Sequence, residues 1–151
     1  MRRPPFRLQA LPESQQLYFA GALFAMSAAD RTMDDSETER IIASLDLAGL
    51  SEDGRRRVLA QAIAPPPLDR CLLEFRDAEE EVRGALMREL ILVVLADETI
   101  EPAEHIGLHH ARQILGLSLD DVAGLHDEAY ASILRSRGTV NGVAPGVEST
   151  N

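Results

Sequence analysis

The residues best suited to chemistry collect in two short stretches of one design. Ala29 to Glu37 and Ala96 to Glu104 both read Ala-Asp-x-Thr-(Met/Ile)-(Asp/Glu)-x-x-Glu. Carboxylates in that pattern have two uses. Hard cations such as Ca²⁺ and Mg²⁺ take oxygen ligands. Equally, a glutamate at the third position of a helix can reach back to the N–H of the cap residue, and an aspartate ahead of the loop can accept loop N–H bonds, so the acids would only lock the turn. An EF-hand is excluded, because its sixth-position glycine is replaced by Asp35 and Pro102 and its twelfth-position glutamate by Ile41 and Leu108.

His105 and His109 form a second candidate set, one helical turn apart, with Glu101 four residues before His105. That spacing suits a transition metal such as Zn²⁺ or Ni²⁺, although two histidines are as readily a solvated helix face. The matching positions in the first stretch are Thr38 and Ile42, so the pair occurs once; His110 and His126 add little. Nucleophilic catalysis finds no support: Cys71 lies among apolar neighbours, no serine sits in a Gly-x-Ser-x-Gly turn, and no glycine loop is shaped to cradle phosphate. Carboxylates at helix starts stay ionised and make poor proton donors.

The elements that must position these residues are helices. Aromatics are 4% of the 151 residues and tryptophan is absent, so the core is aliphatic, which favours helix-on-helix packing over a sheet sandwich. The spacing predicts an all-α fold of about seven helices. Glu13 to Ala29 is apolar around most of its circumference and should be central. Asp34 with Glu37 opens a second helix, and Ser51 caps a third that ends before Pro65-Pro66-Pro67. A short helix carries Leu68, Cys71, Leu72 and Phe75. Asp77 with Glu80 predicts a capping pair for a long helix over 78–96, the second central one. Pro102 starts a helix ending at Gly116. Ser118 caps the last, which turns Val122, Leu125, Ala129, Ile133 and Leu134 to the core and ends near Gly138. Residues 1–12 and 138–151 are expected to be a flexible N-terminal arm and a disordered tail around a single domain of 13–137.

A shift of 67 positions lays Ala29, Asp30, Thr32, Glu37, Gly49, Leu50, Ser51 and Asp53 on Ala96, Asp97, Thr99, Glu104, Gly116, Leu117, Ser118 and Asp120 without a gap, and Leu23 on Leu90. Two helix–loop–helix units should therefore pack about a pseudo-twofold axis with their central helices together.

On these motifs the chain resembles the TerB-like family, the helical domain associated with tellurite resistance, over residues 15 to 130. An apolar helix ending in Ala-Asp, an acidic or proline-containing helix start, a glutamate and then Gly-Leu-Ser occur twice. The glycine usual after the aspartate is Arg31 in one loop and Glu98 in the other. The resemblance implies a noncatalytic domain of stress-response and tellurite-resistance systems, with a divalent cation held by Asp30 and Glu37 in one unit and Asp97 and Glu104 in the other. The alternatives are a metal sensor or carrier using His105 and His109, and a small metal-dependent hydrolase.

The formal charge is −10, from 25 acidic and 15 basic side chains, which repels phosphate backbones and excludes a nucleic-acid role. Protein partners are expected instead, at the membrane surface among other places, and a homodimer is left open. A lone cysteine implies a reducing compartment, and no stretch reads as a signal peptide or a transmembrane segment, so the expected location is cytoplasmic.

Overall fold

A computed structural model of the chain describes residues 7–28, 35–45, 47–96 and 102–140, with backbone only for 35–37, 96, 102–105 and 136–140. Every regular element among them is helical: α1 (Glu13–Ser27), α2 (Asp35–Ser44), α3 (Glu52–Ile63), α4 (Leu68–Leu73), α5 (Glu80–Ala96), α6 (Pro102–Leu115) and α7 (Leu119–Val140), with short 3-10 turns at Leu8–Ala10 and Leu47–Gly49. No helix among the described residues is long and apolar enough to cross a membrane.

The 67-residue offset reaches further than sequence identity shows. The first residues of α1, α2 and α3 are Glu13, Asp35 and Glu52; those of α5, α6 and α7 are Glu80, Pro102 and Leu119, each displaced by that same interval. Contacts repeat as well: α1 packs on α2 and α3, α5 packs on α6 and α7, and α1 lies against α5. Even side chains of different type do one job. Gln16 Nε2 donates to the Leu11 carbonyl at 2.8 Å, and Arg83 Nε, at the matching position, donates to the Ala78 carbonyl at 2.9 Å. Both bonds tie the helix start to the chain that enters it.

The two central helices are central for the reason their composition suggests. Phe19, Ala20, Leu23, Phe24 and Met26 of α1, and Leu86, Leu90, Ile91, Val93 and Val94 of α5, are all buried. Burying a side chain of that size stabilises by about 1.5–3 kcal/mol. Phe19 meets Phe75 edge to face, with centroids 6.0 Å apart, which holds the turn after α4 against α1. Leu8 and Leu11 also pack on this core.

Two helix starts, those of α3 and α7, use the serine caps expected of them, in two versions. Before α7, Ser118 and Asp121 form a reciprocal box: Asp121 N–H donates to Ser118 Oγ at 3.0 Å and Ser118 N–H to Asp121 Oδ2 at 3.1 Å. Before α3, Ser51 Oγ accepts from Gly54 N–H, but position 54 has no side chain to return the bond. Glu13 of α1 supplies it, accepting Ser51 N–H at 2.7 Å and the Ser51 hydroxyl at 2.8 Å. A Cβ on Gly54 would sit 2.9 Å from the Glu13 carboxyl carbon, the mobile end of that side chain, so a larger residue there would push the carboxylate away from Ser51. The bonds from Ser51 hold the Glu13 carboxyl below the ordinary carboxylate value, with Arg57 and Arg55 adding to them. Gly116, at φ +68, ends α6 in the left-handed conformation that glycine takes without strain.

Three local expectations need correction. The long helix begins at Glu80, not Ala78, so Asp77 cannot be its cap: turn bonds from Phe75 to Leu72 and from Ala78 to Phe75 carry the chain past α4 and keep Phe75 buried. Leu134 is about half exposed, because α5 covers only one side of α7. Helix α7 runs to Val140, past the expected stop near Gly138.

Candidate functional site

Each motif leads into a helix start, and its glutamate falls at the same place: Glu37 is the third residue of α2 and Glu104 the third of α6. Asp30 and Asp97 lie outside the described residues, as do Asp34, Arg31, Glu98 and Glu101 and the side chains of Glu37, Glu104 and His105. His109 is exposed on α6, with an Arg112 guanidinium nitrogen 3.5 Å from its Nδ1, and a fixed positive charge there works against a cation. Its neighbour His110 pairs with Asp69 at 2.7 Å, tying α6 to α4. Among the described residues no three His, Cys, Asp or Glu side chains stand close enough to hold a metal.

Cys71 is buried in α4, and desolvation pushes its thiol up to about 11 against a small opposing pull from Arg70. A buried thiol held protonated in this way is a poor nucleophile at neutral pH.

The concavity that the structure does show was not anticipated. A cleft of about 540 Å³ opens between the segment before α1, α1 itself, the end of α2, α5 and α7. Phe19, Leu23 and Leu45 give it an apolar floor, and Arg7, Arg88, Glu89 and Glu128 a charged rim. A second hollow of about 230 Å³, reaching Arg40, Ile41 and Leu92, shares Leu23, Ser44 and Glu89 with it. Arg88 Nη1 donates to Glu89 Oε2 at 3.2 Å, and its Nε lies 3.4 Å from Glu128 Oε1. Burial raises the Glu89 carboxyl above the ordinary range, and the guanidinium groups of Arg88 and Arg40 offset that only in part. One signal was present in the sequence: the charged pair Arg88-Glu89 interrupts the apolar run from Ala85 to Leu95.

The cleft exists because the two units are closed differently. The counterparts of Arg88 and Glu89 in α1 are Gly21 and Ala22. At Gly21 a Cβ would lie 2.9 Å from both Cys71 Sγ and Pro66 Cγ, so α4 and the proline turn before it close that face. Pro65–Pro67 end α3 and let α4 fold back onto α1 and α6. The equivalent run, Ser132 to Leu134, has no proline, and α7 passes through it unbroken. The α5 face at Arg88 and Glu89 therefore stays open.

No family model, curated protein or solved structure matches the chain.

Proposed function

We propose that the chain is a noncatalytic interaction module of the TerB-like kind, serving a bacterial tellurite, metal or stress-response pathway through protein partners, with a divalent cation as the ligand its acidic loops are suited to hold. One observation carries the reading: both copies of the motif feed a helix at the same register, which puts Glu37 and Glu104 at the third position of α2 and α6 on matched halves of one scaffold. Oxygen donors repeated in this way fit a hard cation or a basic protein surface better than they fit a soft metal. The formal charge of −10 favours the same classes of ligand. His105 and His109 gain nothing from the surroundings of His109, so the sensor reading stays behind.

The experiment is calorimetric titration of chelator-stripped protein with Ca²⁺, Mg²⁺, Mn²⁺ and Zn²⁺. The expected result is saturable heat with a hard cation, reduced by Asp30→Asn or Asp97→Asn and absent when both are changed. Zn²⁺ binding abolished by His105→Ala with His109→Ala would favour the histidine site, and no saturable heat with any ion would remove the cation from the proposal.

A further inference from the structure

The cleft over α5 has three properties that a hollow left by loose packing need not share. Its volume of about 540 Å³ falls within the rough 300–1,000 Å³ range of small-molecule sites. Its floor of Phe19, Leu23 and Leu45 is continuous with the core. It also occupies a face at which the repeated units differ in how they are closed.

Charge decides what kind of ligand fits. Arg7, Arg40 and Arg88 border the two joined hollows, against Glu89 and Glu128. Glu128 is largely exposed and reaches Arg88 from the rim. In a chain of net charge −10 the larger cleft is locally neutral, its two arginines matched by Glu89 and Glu128, and Arg40 of the adjoining hollow tips the balance towards positive. Arg88 lies at the meeting of apolar floor and charged rim, where a planar guanidinium can pair with a carboxylate through two parallel bonds.

We infer that the cleft binds a small amphipathic carboxylate, with its head group on Arg88 and Arg7 and its hydrocarbon body along Phe19, Leu23 and Leu45. The incoming carboxylate takes the place of Glu128 on Arg88, and Glu89 holds the other side of the guanidinium in position. The acidic loops take no part.

Calorimetric titration of the full chain with octanoate, octylamine and octanol tests the inference. Octanoate is expected to bind saturably at one site and more tightly than either analogue. Arg88→Gln is expected to weaken it roughly tenfold or more, as loss of a charge-assisted pair does. Arg7→Ala, at an exposed position, is expected to weaken it less, and Glu128→Gln to tighten it by freeing Arg88. Absence of saturable octanoate binding overturns the inference. So does octylamine or octanol binding as tightly as octanoate, or wild-type affinity in both Arg88→Gln and Arg7→Ala.

Discussion

Gly21→Ala adds one methyl group where α1 has no room for it. The new Cβ would stand 2.9 Å from Cys71 Sγ, 2.9 Å from Pro66 Cγ and 3.2 Å from Gln61 Nε2, and little there can give way: Cys71 is buried, the Pro66 ring is stiff, and Gln61 is held by its bond to the Leu17 carbonyl. Overpacking of this kind costs about 1–3 kcal/mol. Against it stands the gain from replacing glycine inside a helix, roughly 0.5–1 kcal/mol. On the centres of the two ranges the clash wins by about 1 kcal/mol, a fall in Tm of roughly 2–4 °C for a chain of this length. Gly84→Ala in α5 is the control, because nothing lies within 4 Å of its added Cβ; only the helix gain remains, so stability should rise by roughly 0.5–1 kcal/mol. Adding Cys71→Ala should recover part of the Gly21→Ala loss and no part of the Gly84→Ala effect. Thermal and urea unfolding followed by circular dichroism read all four variants. A Gly21→Ala protein as stable as Gly84→Ala would refute the closure of α1 by α4, and with it the explanation of why only the α5 face is open.

Glu13 is expected to make stability fall at acid pH: its folded value is lowered, so its contribution is present above the unfolded 4.5 and lost as pH drops through the folded value, and Glu13→Gln should flatten that part of a pH–Tm series. Cys71 acts at the opposite end. Its folded value of about 11 lies above the unfolded 9.0, so its contribution is intact below pH 9.0 and lost as pH rises toward 11; the native thiol should resist an aromatic disulfide reagent at neutral pH and react fully in urea. Ser118→Ala should cost about 1 kcal/mol in urea unfolding through loss of one cap, whereas Ser51→Ala should cost more, because it also breaks the hydroxyl bond to Glu13.

Features set by neighbouring residues were legible in the sequence. Ser51 and Ser118 cap, Pro102 starts a helix and Gly116 ends one because each acts through its own backbone and the next turn. The repeat was legible because it is written in identities, although its extension to Gln16 and Arg83 was hidden by a change of side chain that keeps the bond. Asp77 misled because the capping pattern is local while the burial of Phe75, which sets where the chain can turn into α5, is tertiary. Leu134 misled for a similar reason, since periodicity gives the width of an apolar arc but not how much of it a neighbour covers. The cleft was least legible of all: its walls come from four helices and the segment before α1, and it is open because proline is missing from 132–134, far in sequence from Phe19, Leu23 and Leu45 of its floor.

The proposed function requires the two acidic loops to make the contacts with a partner. Cross-linking of the full chain in its native cell, with linkage sites mapped by mass spectrometry, addresses it most directly. The expected result is a partner linked near both 29–37 and 96–104 and lost from a variant carrying Asp30→Ala, Glu37→Ala, Asp97→Ala and Glu104→Ala that keeps the wild-type Tm. The same partners recovered in the same amounts by that folded variant would contradict it.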